Sequence, residues 1–264
     1  MKERVQKIIA QWGIASRRQA EAMILEGRVR LNGEIVQIGQ KADPNRDRLE
    51  VDGRPLRSRN RPDRLYLLLH KPKGVVSTCH DPQGRKTVMD LLPKSWRQGQ
   101  GIHPIGRLDI DSTGALLLTN DGELTQAIAH PRSHLTKLYH VWIAGHPSVS
   151  TLQAWRQGVI LDDQKTLPAV VKVLTEQAER TLLAIELREG RNRQIRRVAE
   201  QLGHPVLKLH RVAIGPIQLQ GTDRQRLAAG QCRSLSAREL RAIRKASDLA
   251  ASGNGLQSVQ ENLP

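Results

Sequence analysis

HPIGRLDIDSTGALLLTNDGELTQAIAHP, residues 103–131, sets one short apolar run, 115–119, between turns rich in Gly, Asp and Asn. A short apolar run bounded by such residues reads as a strand with polar loops at both ends. Three carboxylates crowd those loops, Asp109, Asp111 and Asp121, with Arg107 two positions before Asp109. Residue chemistry alone makes Asp121, in Asn-Asp-Gly, a turn or cap residue, and Asp111, before Ser-Thr-Gly, a loop former. Spacing by itself does not single out Asp109.

Outward from this strand, further short strand-like runs fall at 66–69, 138–143, 169–174, 182–187 and 206–209, more numerous than the helical stretches. They predict an α+β domain with a mixed, mainly antiparallel sheet and flanking helices. One helix is expected in the segment from Glu189, with Arg191, Arg193, Arg196 and Arg197 in its first turns, Ile195, Val198, Ala199 and Leu202 inward and Gly203 at its end. Nearer the N-terminus, Val5, Ile8, Ile9 and Trp12 recur at helical spacing. Ser16-Arg17-Arg18-Gln19 has the form of a capping box and leads into a second stripe, Ala20, Met23 and Ile24, closed by Gly27. Val29 and Leu31 then alternate into Asn32-Gly33, a strong hairpin signal. The expected organisation is a small αα-plus-hairpin domain at 1–53, a basic solvated linker at 54–64 (RPLRSRNRPDR), a larger domain at 65–245 and a disordered tail at 246–264.

The chain has 264 residues, 42 Lys+Arg against 26 Asp+Glu and a net charge of +16, which favours a polyanionic partner. Nucleic acid leads and an anionic membrane surface comes second. No apolar run reaches the roughly 18–20 residues of a membrane span, and MKERVQKIIAQWG carries no cleavage signal, so a soluble cytoplasmic protein is expected. Cys79 and Cys232 have no CxxC partner, the histidines show no HExxH spacing, and no GxxxxGK loop occurs. No metal, nucleotide or other cofactor is therefore expected. Two basic clusters stand at helix starts, Arg17 and Arg18 with Arg28 and Arg30 beyond, and Arg191, Arg193, Arg196 and Arg197. Cations there oppose the helix dipole unless they meet anions, and phosphate would serve; a plain solvated face is the other reading.

GIASRRQAEAMILEGRVRLNG resembles the small RNA-binding domain named after the fourth small-subunit ribosomal protein, over roughly residues 3–52. GRLDIDSTGALLLTNDG resembles the catalytic motif of pseudouridine synthases of the RsuA/RluB branch, whose members carry such an N-terminal domain. The similarity continues through YLLLHKPKGVVST (66–78), DPQGRKTVMDLLP (81–93), TKLYHVWIAG (136–145) and EGRNRQIRRVAEQLGHPVLKLHRVAIGPI (189–217). The absence of Phe, and Ala115 where the family often has Leu, touch no catalytic task.

This resemblance implies an RNA-modifying isomerase of ribosome biogenesis. Its catalytic carboxylate falls on Asp109, its active-site tyrosine on Tyr139 and its basic partner on Arg196, and Arg107 would enter the gap left by a flipped base. Tyr139 as a plain sheet residue, and Arg107 as an ordinary ion-pair partner of Asp109 or Asp111, are the competing assignments. The resemblance implies that the N-terminal domain binds RNA, and the charge clusters make Arg17, Arg18, Arg28, Arg30, Arg191 and Arg193 the candidate contacts. The partner is ribosomal RNA, the large subunit by the closer likeness of DPQGRKTVMDLLP and EGRNRQIRRV, and a monomer is expected. The rival readings are a catalytically silent assembly factor, the same reaction on small-subunit RNA, and a glycosidase, which would need a second carboxylate about 5–10 Å from the first.

Overall fold

The computed structural model describes residues 2–129, 135–220 and 227–251, and of Ser58 and 248–251 the backbone alone. These residues form two compact units, one from 2–66, 92–103 and 118–122, the other from 67–91, 104–117 and the described residues from 123 onward.

In the first unit β1 (Glu3–Arg4) runs into α1 (Val5–Gln11), and α2 (Arg17–Leu25) follows. Val5, Ile8, Ile9 and Trp12 pack with Ala20, Met23 and Ile24 in one core, each large side chain contributing about 1.5–3 kcal/mol by leaving water. The capping box forms: Gln19 N donates to Ser16 Oγ at 3.3 Å and Ser16 N to Gln19 Oε1 at 3.0 Å, a device worth about 1 kcal/mol. β2 (Val29–Leu31) and β3 (Glu34–Ile35) pair through the Asn32-Gly33 turn, both residues at positive φ (54° and 94°), as a type I′ turn requires. β4 (Lys41–Ala42) pairs with β1, while β5 (Leu49–Val51) and β6 (Arg54–Pro55) complete a sheet in the order β3-β2-β5-β6.

The expected linker at 54–64 is corrected by these contacts. β6 belongs to the sheet, Trp12 Nε1 donates to Arg57 O at 3.2 Å, and the Arg61 guanidinium lies 5.1 Å from the centre of the Trp12 ring. A run whose one large apolar residue is Leu56 looks solvated, yet Leu56 packs on the core and arginine can anchor through cation–π and main-chain bonds that hydropathy does not register. The same unit holds α3 (Lys94–Arg97) and a buried Asp121, which accepts from Tyr66 Oη at 2.8 Å and from Arg64 at 3.0 Å.

The second unit takes all or most of the residues of β7 (Tyr66–Lys71), β8 (His103–Ile105), β9 (Thr113–Thr119), β10 (Lys137–Ala144), β13 (Val170–Gln177), β14 (Arg180–Leu187), β15 (Val206–Ile214), β16 (Ile217–Gln218) and β17 (Cys232–Ser234), with the small hairpin β11 (Ile160–Leu161) and β12 (Gln164–Lys165) set apart. The sheet order is β13-β14-β10-β15-β9-β7-β17, with β16 on β15 and β8 on β9. Every expected strand is present. Among the registers defined for the described residues of this sheet, only β9 with β15 is parallel, at Thr113↔His210 and Gly114↔Arg211.

The helices of this unit are α4 (Gly122–Ala129), α5 (Val149–Gln157), α6 (Gln194–Gln201) and α7 (Ala237–Ala251). Alternation along β10 turns Tyr139, Val141 and Ile143 to one face, where Leu152 and Trp155 of α5 and Ile195, Val198 and Ala199 of α6 join them in a core. The start of the expected tail at 246–264 is also corrected, since α7 continues to Ala251 with Ile243 and Ser247 buried. Helical spacing of Leu240, Ile243 and Ser247 outweighs the polar composition on which that expectation rested. Residues 252–264 lie outside the described residues.

The opposite face carries a histidine cluster. His140 and His210 are register partners, the His210 ring centre is 5.3 Å from that of His70, and Thr113 Oγ1 lies 2.8 Å from His210 Nδ1. Burial, and then the charges of His70, Lys208 and His140, push the His210 imidazole down to about 4. The unfolded chain takes up that proton near pH 6.5 and the folded chain does not. The stability this contributes is fully present above about pH 6.5 and is lost as pH falls towards 4. Urea midpoints measured between pH 7 and pH 4.5 should fall more steeply for the wild type than for His210→Gln; parallel declines would clear His210 of the effect.

Candidate active site

The loop 108–112 is held from below by the end of β7 and the turn after it. Lys71, with no solvent exposure, donates Nζ to the carbonyls of Pro72 (3.1 Å), Asp109 (3.0 Å) and Ser112 (2.9 Å). Gly74 N donates to Ile110 O, and Ser77 Oγ donates to Leu108 O. Burial pushes the Lys71 ammonium down to about 8, against Asp109 and Asp111, which favour its charge. Lys71 is not among the residues that the sequence singled out for the site. A lysine closing an apolar strand was the available signal.

Fixed in this way, the loop presents both carboxylates to the start of α6. Asp109 Oδ2 lies 3.5 Å from Arg193 Nη1 and 3.9 Å from Arg196 Nε. Asp111 Oδ2 lies 3.2 Å from Arg196 Nη2 and 3.7 Å from Arg193 Nη2. Arg196 Nη2 also donates to Ser112 Oγ at 3.1 Å. The guanidinium nearest Asp109 is thus that of Arg193, and Arg196 is bound most closely to Asp111 and Ser112. Arg193 occupies the N-cap of α6 in the left-handed region, φ 48°, a strained conformation for a residue with a Cβ. Asp111, taken as a loop former, belongs to the charge cluster.

Asp109 opens on a cavity of about 600 Å³ whose walls include Arg107, Tyr139, Leu209 and Arg211. Tyr139 lines this cavity from β10. It is a sheet residue, 9% exposed, paired with Ile185 and Arg211, and its ring faces the cavity. Arg107 is exposed and has no ion pair among the described residues, so it is not the carboxylate partner that was its competing assignment.

The remaining arginines divide by what they already hold. Arg191 precedes α6 and donates to the carbonyls of Leu161, Gln164 and Lys165 while pairing with Glu189 at 3.2 Å. Arg197 pairs with Asp162. Arg191 is therefore a clamp on the β11–β12 hairpin, a use that charge clustering does not reveal. In the first unit Arg28 grips Asp52 through two nitrogens and also meets Glu26, and Arg30 donates to Gly33 O. Arg17 and Arg18 are exposed at the start of α2 without an ion pair among the described residues.

A carboxylate at the mouth of a cavity, flanked by guanidinium groups and an aromatic face, suits an enzyme that works on a base and its sugar. Residues 65–201 match the RNA pseudouridylate synthase family, and residues 3–47 match the S4 domain. The chain is 39% identical over 249 residues to ribosomal large subunit pseudouridine synthase B of Bacillus subtilis (strain 168), covering 93% of this chain and 97% of that protein. It is 38% identical over 248 residues to an uncharacterized RNA pseudouridine synthase of Aquifex aeolicus, covering 93% and 95%. A crystal structure of a pseudouridylate synthase matches it with a TM-score of 0.65 at 29% identity, over 91% of this chain and 99% of that one. The chain belongs to the RNA pseudouridine synthase family, in the RsuA/RluB branch with an N-terminal S4 domain. It is an RNA-binding isomerase. No helix among the described residues is long and apolar enough to cross a membrane.

Proposed function

We propose that the protein converts one uridine of large-subunit ribosomal RNA to pseudouridine, in the cytoplasm, with Asp109 as the carboxylate that acts at ribose C1′. The observation that carries this reading is Asp109 itself, at the mouth of the cavity with Arg193 and Arg196 beside it. Adjacent guanidinium groups favour the ionised carboxylate the reaction needs. The target uridine must leave its stack, at a cost of a few kcal/mol, and Tyr139 offers a face against which the base can rest. Arg107, exposed and with no ion pair among the described residues, fills the gap the base leaves. Arg196 positions the loop through Asp111 and Ser112. The large-subunit target is supported by the name of the Bacillus subtilis relative.

The test is incubation with unmodified large- and small-subunit ribosomal RNA, followed by carbodiimide labelling and primer extension. A single new stop in the large-subunit RNA supports the target, and one in the small-subunit RNA overturns it.

RNA docking on the S4 domain is assigned to Arg17 and Arg18, whose guanidinium groups meet no carboxylate among the described residues. The Arg17→Gln, Arg18→Gln double variant should weaken RNA binding and reduce the slope of log K against log salt by about one unit for each phosphate no longer engaged. An unchanged slope in filter-binding titrations would take the start of α2 out of the interface.

A further inference from the structure

Arg211 is a buried charge without a countercharge among the described residues. It is 4% exposed, and no ion pair joins it to a carboxylate there. Its Nε donates to Ala115 O at 2.7 Å, while Nη2 is buried and has no hydrogen-bond partner. The side chain lines the cavity that Asp109 opens on, and its guanidinium carbon lies 6.0 Å from the centre of the Tyr139 ring. Lys137 lines the same cavity, and burial, then the Arg211 charge, hold its ammonium below the usual lysine range. Burying an unpaired cation and an unused donor is costly. Asp109 and Asp111 face Arg193 and Arg196 instead. This wall of the cavity is therefore arranged for negative charge that arrives with the substrate.

The reaction supplies such a charge. When the bond between C1′ and N1 breaks, its electron pair stays on the base, and the detached uracil is an anion spread over N1 and the two carbonyl oxygens. We propose that Arg211 is a further catalytic residue, whose Nη2 donates to a carbonyl oxygen of the detached uracil anion and holds it beside Tyr139 while it turns. C5 then returns the electron pair to C1′, displacing Asp109 if the carboxylate had bonded there; the hydrogen on C5 leaves as a proton to water, and N1 takes up one proton from water, so no atom is gained or lost. Arg211 keeps its own protons throughout, so no further reactant is required. Donors aimed at charge that exists only during the reaction raise the rate without tightening ground-state binding.

The inference rests on reading the Asp109 cavity as the active site, and single-turnover kinetics on the full-length protein separate the two. With a large-subunit ribosomal RNA transcript, Arg211→Gln should lose about 10²–10³ in maximal rate at an unchanged half-saturating RNA concentration. Arg211→Lys, which keeps the charge and guards against a folding defect, should recover part of it. Placing 5-fluorouridine at the target makes the detached base a more stable anion, so the loss in consumption of that nucleotide should shrink by about tenfold. An equal loss on both RNAs would make Arg211 a structural residue. A loss confined to the half-saturating concentration would make it a phosphate contact. Full turnover by Asp109→Asn would instead overturn the active-site reading while leaving the Arg211 result to stand on its own.

Discussion

Asp109→Asn should bind ribosomal RNA as the wild type does and isomerise it about 10⁴-fold more slowly or not at all. The substitution removes the charge and leaves the side-chain volume almost unchanged. The contacts that shape the loop go to the backbone: Lys71 Nζ and Ser112 N both donate to Asp109 O, and an amide side chain leaves them in place. Arg196 retains Asp111 and Ser112. What disappears is the charge beside Arg193 and Arg196, which in the proposed reaction is the group that attacks C1′ or removes a proton from the sugar. Gel-shift affinity and pseudouridine formation, measured on the same preparation, check both halves of the statement. Turnover within tenfold of wild type would remove Asp109 from the mechanism.

Gly114→Ala should cost more stability than any other change considered above. Gly114 sits at φ +114°, a conformation that residues with a Cβ rarely adopt, where β9 pairs with Arg211 of β15. A Cβ there would lie 2.1 Å from Arg211 O and 2.6 Å from Arg211 N. Both atoms belong to the backbone of a strand paired on its other edge with β10, so neither can swing aside. Relief requires the two strands to part at the register that also carries Arg211 to the cavity. A loss of about 3–5 kcal/mol follows, seen as a Tm lower by about 10 °C, together with reduced turnover. A Tm unchanged within a degree or two would mean that the strands separate without cost, contrary to a close-packed sheet interior.

Much of this molecule was legible in local sequence. Short apolar or alternating runs bounded by turn residues placed all six strands expected around the site, because such a run must bury one or both of its faces whatever lies across the sheet. The Ser16–Gln19 capping box and the Asn32-Gly33 turn read correctly because each is closed by backbone chemistry within four residues. The expectations for 54–64 and for the start of the tail, 246–251, failed where composition stood in for packing: Arg61 stacks on Trp12, and α7 buries Ser247.

Motif and periodicity are properties of neighbouring residues, and they were enough for the family, the two-domain order, the strands and the candidacy of Asp109 and Tyr139. Which cation meets which carboxylate came from the folded arrangement alone. Arg193 faces Asp109, Arg196 holds Asp111 and Ser112, Arg191 is spent on hairpin carbonyls, and Arg211 keeps one buried nitrogen unused. Those outcomes depend on the parallel pairing of β9 with β15 and on where the start of α6 falls beside the 108–112 loop. Electrostatic partnership is set by distances of a few ångströms between residues some 80 to 100 positions apart, and spacing along the chain does not carry that information.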